Sequence, residues 1–262
     1  MIGYILYFLI SVAATLAGSM TGMGGGVIIK PMLDIINEFD VATIGVLSSM
    51  TVLSMTLVSV WTQVRQGVVF NLDITIPLAI GSVLGGSIGQ YLLVELISVL
   101  NNNRLVLLVQ NAILGTLVIG VFFYMLNRSK ISTLEIKSIV LVVTTGIFLG
   151  AVSAFLGIGG GPLNVSLLII LFSLDIKTAT ICSVIIIMFA QLSNLFQVAA
   201  NTGFRVYDLS MLLPMIIGAT IGGFIGSWLN KRLSEKTIGI CFNGVQVLVF
   251  VFCIYNIITN LE

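Results

Sequence analysis

The chain has 262 residues, of which 58% are hydrophobic and 8% are charged, and its formal net charge is +1. A soluble domain carries about 25% charged residues, so this composition excludes a water-soluble fold and indicates an all-α membrane protein. The sequence contains no histidine, which argues against zinc sites and Ser-His-Asp hydrolysis, and it offers no basic face for nucleic acid. We therefore predict a protein that is not an enzyme and that binds no metal, cofactor or nucleic acid.

Eight apolar segments follow one another along the chain and are separated by short polar loops. They cover residues 2–36, 42–63, 74–100, 104–126, 138–173, 177–200, 210–229 and 237–259. No basic region precedes the first segment and no convincing cleavage site follows it, so we expect a retained membrane segment rather than a signal peptide. A charged stretch lies at the midpoint, which predicts a first transmembrane repeat over 1–127, a central linker over 128–137 and a second repeat over 138–262.

The two halves are related in sequence. Gly22-Met23-Gly24-Gly25-Gly26 matches Gly157-Ile158-Gly159-Gly160-Gly161 at an offset of 135 residues. The same offset relates Asp40 to Asp175, Thr43 to Thr178 and Ser48 to Ser183, and an offset of 137 relates Pro77 to Pro214, Gly81 to Gly218, Gly85-Gly86 to Gly222-Gly223, and Gly89 to Gly226. Internal repeats are typical of secondary transporters, and glycines four residues apart predict a face for close helix packing.

The first segment of each half is about 35 residues long, too long for one ordinary span and too short for two. Treated as one span, it gives eight spans and parallel halves, with basic residues divided five against five between the two sides. Treated as a hairpin that enters and leaves on one face, it leaves three full spans in each half and makes the halves inverted repeats. With Lys30 set aside, eight basic residues then lie on one side and only Arg104 and Arg205 on the other. This asymmetry favours inverted repeats with both termini outside.

The glycine runs interrupt both first segments. Three consecutive glycines disfavour a helix, and a break at membrane depth survives only inside the protein or beside a wet cavity. The apolar stretches 27–36 and 162–173 can restart as half-helices, and Pro162 suits a first helical turn. Such helix N-termini attract anions, so we predict anion binding at both breaks, while tight backbone crossing is the alternative reason for the glycines.

Lys30 lies in an apolar segment, where a cation is costly, and the second half has Val165 at the matching position. It either contacts an anionic substrate or pairs with Asp34, which is four residues on and on the same helix face. Asp34 is also a candidate proton-coupling group. Further polar residues that could complete the cavity include Ser48, Ser49, Thr51 and Ser183. The predicted substrate-binding set is Thr21, Gly22, Gly24, Gly25, Gly26, Lys30, Ser153, Gly157, Gly159, Gly160, Gly161, Asn164, Gln191 and Asn194.

The segments GSMTGMGGGVIIKPML (18–33) and GAVSAFLGIGGGPLNVSLLI (150–169) resemble the duplicated signature of the TauE/SafE sulfite exporter, or anion permease, family. The resemblance covers essentially the whole chain. It falls on Gly22, Gly24, Gly25, Gly26 and Pro31, and on Gly157, Gly159, Gly160 and Gly161. The chain departs from the pattern at Ser166, which stands where the first half has Pro31, and at Pro162, while Lys30 is not part of the common motif.

This resemblance implies a bacterial or archaeal permease for sulfite, sulfonates, other organosulfur compounds or small organic anions. We expect a secondary transporter that acts as an exporter in the inner (plasma) membrane. Its expected partners are a small anion and the lipid bilayer, with coupled protons and a second copy of the chain as further candidates. A passive anion channel and a membrane scaffold without transport activity are the alternatives. A scaffold needs no discontinuous helices, so the duplicated break argues against it.

Overall fold

The computed structural model describes residues 2–68, 71–136 and 138–261, and within these ranges the chain forms α-helices and no strands. The helices are α1 (Ile2–Thr21), α2 (Gly26–Ile36), α3 (Val41–Arg65), α4 (Leu72–Leu100), α5 (Asn103–Asn127), α6 (Ile139–Phe155), α7 (Pro162–Phe172), α8 (Ile176–Asn201), α9 (Leu212–Arg232) and α10 (Glu235–Leu261). In this described part, α1, α3, α4, α5, α8, α9 and α10 are long and apolar enough to cross a bilayer. The chain is a multi-pass membrane protein.

Each half begins with two helices whose outer ends lie close together. Near the start of α1, the Tyr7 hydroxyl donates to Glu38 Oε2 at 2.6 Å, and the Tyr7 ring meets the Phe39 ring just beyond the end of α2. In the second half, the amides of Leu134 and Ile136 precede α6 and donate to carbonyls at the end of α7. The chain therefore enters and leaves each of these helix pairs at the same end.

The two halves pack on each other reciprocally. Helix α1 packs on α9 and its counterpart α6 packs on α4, while α3 on α9 is matched by α8 on α4. The contact of α2 with α10 is likewise matched by the contact of α7 with α5. Helix α5 also packs directly on α10. The largest hydrophobic cluster draws buried side chains from both halves, among them Met23, Leu47 and Leu168. Each half thus completes the core of the other.

The glycine stripes on α4 and α9 are helix contact faces, as the sequence predicts. A Cβ on Gly85 would lie 1.9 Å from the Ile147 carbonyl oxygen of α6, and a Cβ on Gly222 would lie 2.5 Å from the Val12 carbonyl oxygen of α1. Real Cβ atoms do not approach backbone oxygens this closely, so these helices reach their spacing only because the side chains are absent. The prediction that the stripes are packing faces is confirmed.

The repeated aspartates are helix N-caps. Asp40 accepts the Thr43 amide and hydroxyl, both at 2.8 Å, and Asp175 accepts those of Thr178 at 2.9 and 2.6 Å. Burial raises the pKa of Asp175, but the hydrogen bonds from Thr178 and from nearby backbone amides outweigh it, so the pKa of this carboxyl lies below its usual value. The repeat at Asp40 and Asp175 therefore has a structural explanation at the start of α3 and α8.

We expect Asp175→Ala to lower the stability of the purified protein by about 1 kcal/mol, because the first turn of α8 loses its capping acceptor. Asp175→Asn keeps an acceptor and should lose little at neutral pH. Since the folded-state pKa of Asp175 is lowered, its ionised contribution is present above the unfolded-state pKa and is lost as the pH falls through the folded-state value. Thermal melting in detergent from neutral to acidic pH measures both effects, and equal melting of all three proteins would contradict the assignment.

Candidate functional site

Two irregular segments lie between paired helices at the core. The first break, residues 22–25, separates α1 from α2, and the second break, residues 156–161, separates α6 from α7. They approach each other, since a Cβ on Gly24 would lie 3.5 Å from the Gly159 carbonyl oxygen. Helix α8 passes both, because Ile187 is the nearest neighbour of Gly24 and of Gly160. The structure thus brings together the two glycine runs that the sequence predicts as site elements.

Several polar groups at the first break are already hydrogen-bonded. The Ser183 hydroxyl donates to the Gly22 carbonyl at 2.6 Å, while the Thr180 hydroxyl donates to the Ile176 carbonyl of its own helix at 2.7 Å and lies 3.3 Å from the Thr21 carbonyl. The Thr21 hydroxyl, a predicted substrate ligand, donates within its own helix to the Ala17 carbonyl at 2.7 Å. These bonds satisfy the Gly22 carbonyl and the Thr21 hydroxyl, while the amides of Met23 and Gly25, like those at the second break, donate to no backbone carbonyl of the described residues.

The glycines of the first break are also closely packed. A Cβ on Gly25 would lie 2.8 Å from Thr15 Cγ2, and a Cβ on Gly26 would lie 1.8 Å from the Ile158 carbonyl oxygen. Gly18 abuts the break from within α1, where a Cβ would lie 2.4 Å from the Gly25 nitrogen. One structural role of this glycine run is therefore to let its backbone pack closely against α1 and the second break.

The second break is surrounded by buried polar atoms without partners. Within the described residues, Ser153 Oγ, Gln191 Oε1 and Asn194 Oδ1 are buried and make no hydrogen bond, and the same holds for Ser48 Oγ, which lies beside Gly26 where the two breaks cross. Eight further atoms of this kind lie elsewhere in the described part of the chain. Gln191 lies against the break, since its Nε2 would be 2.6 Å from a Cβ on Gly159. Buried polar groups are hydrogen-bonded in the great majority of cases, so several such atoms in one place point to a missing polar ligand or water.

The two breaks differ in the polar residues at positions that the internal repeat relates. At the offset of 135, Ser153 and Asn164 correspond to Gly18 and Ile29, which have no polar side chain, and Gln191 and Asn194 correspond to Thr56 and Ser59. The Thr56 hydroxyl donates to the Leu53 carbonyl, and the Ser59 hydroxyl shares a hydrogen bond with Ser19. The unpartnered polar atoms are therefore a property of the second break and not of the repeat as such.

A small cavity lies at the second break between α5, α6 and α7. Its surface is almost entirely apolar, and the residues that line it are Leu114, Leu117, Leu149, Val152, Leu156, Ile158, Pro162 and Leu163, together with Ser153, Asn164, Gly160 and Gly161 where α7 begins. No backbone carbonyl of the described residues accepts the amides of residues 159–161. The cavity measures about 10 Å³, which is space for one water molecule, so a larger ligand requires it to widen.

Lys30 and Asp34 form a buried ion pair on α2. Lys30 Nζ lies 3.2 Å from both Asp34 carboxylate oxygens, and the two side chains are only 3% and 1% exposed. The Lys30 side chain also lies along the second break, since a Cβ on Gly157 would be 3.4 Å from Lys30 Cδ and Cε. Of the two alternatives for Lys30, the structure shows the pairing with Asp34, while its contact with substrate stays a prediction.

Two asparagines that the sequence analysis overlooked extend this pair. Asn111 of α5 donates to Asp34 Oδ2 at 3.3 Å, and Asn256 of α10 donates to Asn111 Oδ1 at 3.3 Å and to the Pro31 carbonyl at 3.0 Å. Both side chains are buried. The sequence could have pointed to them, because each is a carboxamide side chain in the middle of an apolar segment. Placing a polar side chain inside the membrane costs free energy, as it does for Lys30.

Asp34 also borders a larger polar cavity, which we call the vestibule. The vestibule measures about 240 Å³ and is lined by Asp34, Asn37, Phe39, Asp40, Val41, Ile44, Asn103, Arg104, Leu107 and Asn260. It lies where α2 ends and α3 and α5 begin. Across residues 2–68, 71–136 and 138–261, the vestibule included, no three His, Cys, Asp or Glu side chains gather into a metal-ligand group.

The family of the chain follows from comparison with known proteins. The family model described as sulfite exporter TauE/SafE matches residues 7–253. The chain belongs to the TauE/SafE sulfite exporter family. This match covers both breaks and the ion pair, and it confirms the family suggested by the glycine signatures. No curated protein and no solved structure matched the chain. As a TauE/SafE protein, it falls among membrane transporters of sulfite-type anions.

Proposed function

We propose that this TauE/SafE protein is a secondary transporter, working as an exporter, of small anions such as sulfite, sulfonates or carboxylates in the inner (plasma) membrane. The anion binds at the second break. The carrying observation is the buried, unpartnered Ser153 hydroxyl at the break, together with the Gln191 Nε2 group, which lies against Gly159 and donates to no described residue. The unpartnered oxygens of Gln191 and Asn194 only accept hydrogen bonds and do not themselves hold an anion. The start of α7 adds free backbone amides and the positive end of a helix dipole, which together favour negative charge.

We further infer that the two halves are inverted repeats. The helix hairpins and the reciprocal packing of α1 on α9 and α6 on α4 support this topology, as does the distribution of basic residues. Two inverted halves that meet at their breaks would place the anion near the middle of the bilayer. Such a site can be exposed to either side when one half rocks against the other.

Thermal stabilisation of the purified protein by sulfite, methanesulfonate and acetate tests the site. A ligand of the native state raises stability in proportion to ln(1 + [L]/Kd). Ser153→Ala removes an unpartnered hydroxyl, so the melting temperature without anion should not fall. A hydrogen bond to a charged group contributes roughly 1.5–3 kcal/mol, so this variant should bind the anion about ten to a hundred times more weakly.

The internal repeat provides a matched control. Thr56→Val alters the first-half counterpart of Gln191, whose hydroxyl is bonded within its own helix, and should leave anion binding unchanged. Gln191→Leu should reduce binding as Ser153→Ala does. If no anion stabilises the wild type, or if Ser153→Ala and Gln191→Leu respond as the wild type does, the second break is not the anion site.

A further inference from the structure

The buried charges that the structure describes sum to zero, so the charge of any anion that binds in the interior must be balanced. Among the described residues, Lys30 and Asp34 are the charged side chains that are buried, and together they carry no net charge. A monovalent anion at the second break adds one negative charge to this interior. An uncompensated charge in a low-dielectric environment is strongly unfavourable, so it must be balanced by another group.

The ion pair lies between the vestibule and the second break. Asp34 lines the vestibule, and it also lines a narrow cleft together with Lys30, Pro31, Gln110, Asn111, Leu114 and Leu156. Leu114 and Leu156 also line the cavity at the second break. The carboxylate is thus the member of the pair that borders the polar vestibule, and Lys30 is the member whose side chain lies along the break.

We propose that Asp34 takes up one proton from the vestibule when an anion binds at the second break, so that anion and proton bind together. This inference rests on the proposed anion site. In the step, the Lys30–Asp34 ion pair separates, the proton bonds to a carboxylate oxygen of Asp34, and the Lys30 ammonium pairs with the anion. Before and after the step, the buried groups sum to zero charge.

The surroundings of Asp34 suit both of its protonation states. Asn111 Nδ2 donates to the carboxylate now, and its Oδ1, which accepts from Asn256, has a second lone pair that can accept from a protonated acid once the side chain turns. The titratable and charged groups facing Asp34 are Lys30 on its own helix, Cys253 on α10, Asp40 at the start of α3 and Arg104 on α5. The neutral amide side chains near it are Asn37, Asn103, Asn111, Asn256 and Asn260.

Calorimetric titration of the full-length protein with methanesulfonate measures this linkage. A sulfonate stays ionised throughout the neutral pH range, so a proton taken up on binding must go to the protein. Titrations at one pH in two buffers of different ionisation enthalpy should show about one proton bound per anion. Where Asp34 is ionised in the empty protein, the affinity should fall about tenfold for each unit rise in pH.

Asp34→Asn mimics the protonated acid, so this variant should bind methanesulfonate without proton uptake and without pH dependence. Asp40→Asn removes a neighbouring vestibule carboxylate but keeps a helix-capping side chain, and it should behave as the wild type. Asp34→Asn is expected to be less stable than the wild type. The number of protons that the wild type takes up per bound anion is therefore sufficient to test the coupling. Anion binding by the wild type without proton uptake overturns the coupling but leaves the anion site standing. If none of methanesulfonate, sulfite and acetate binds or stabilises the wild type, both proposals are overturned.

Discussion

Gly26→Ala is expected to prevent the protein from reaching its folded state in useful amounts. A Cβ at this position would lie 1.8 Å from the Ile158 carbonyl oxygen and 2.6 Å from its carbonyl carbon. The obstacle is backbone, which cannot rotate away as a flexible side chain can, and the second break would have to move as a whole. We expect a loss of about 4 kcal/mol or more, which is exceptional for the addition of one methyl group.

Two other glycines serve as controls for this variant. Gly45 has open space where a methyl group would lie, so Gly45→Ala should be neutral or slightly stabilising near the start of α3. Gly161 is the repeat counterpart of Gly26, and a Cβ there would meet only the end of the Ile158 side chain, at 3.2 Å. Size-exclusion profiles and melting temperatures in detergent compare the three variants. A monodisperse Gly26→Ala protein that melts like the wild type would contradict the close crossing of the breaks.

Removing either member of the buried ion pair is expected to destabilise the protein by about 3–5 kcal/mol, because the remaining charge stays buried without its partner. Lys30→Met leaves Asp34 with the hydrogen bond from Asn111, and Asp34→Asn leaves the Lys30 ammonium without a counter-charge. The double variant should be more stable than the sum of the single losses predicts, since it leaves no buried charge.

Chemical or thermal unfolding of the wild type, the two single variants and the double variant yields this coupling energy. Lys236→Met is the control, because Lys236 is exposed and its loss should change stability by no more than about 0.5 kcal/mol. Additive losses in the double variant would show that the two side chains do not stabilise each other. That result would also remove the charge-balance argument for proton uptake at Asp34.

The helices could be predicted from sequence because their causes are local. Runs of apolar residues long enough to cross a bilayer predict α3, α4 and α5 and their counterparts in the second half, within a few residues of their observed bounds. The contact faces of α4 and α9 followed from glycines at four-residue spacing. Lys30 and Asp34 were likewise recognised as neighbours, because residues four apart share a helix face.

The partners of these helices could not be predicted in the same way. Asn111 and Asn256 reach the ion pair from α5 and α10, which lie 77 and 222 positions along the chain from Asp34. Sequence spacing carries no information about such contacts, whereas it does for residues on one helix. The inverted topology and the anion site remain predictions, although the hairpins and the packing between the halves agree with them.

By itself, the sequence determined the family, the multi-pass helical architecture, the internal repeat and the positions of the two glycine runs. Only the tertiary structure decided that the two runs are not equivalent. At the first break, the Ser183 hydroxyl of α8 donates to the Gly22 carbonyl at 2.6 Å. At the second break, Ser153 and Gln191 keep buried polar atoms without partners. The two runs have nearly the same sequence, but Ser153 and Gln191 stand where the first half has Gly18 and Thr56, and packing of α8 brings Gln191 against Gly159.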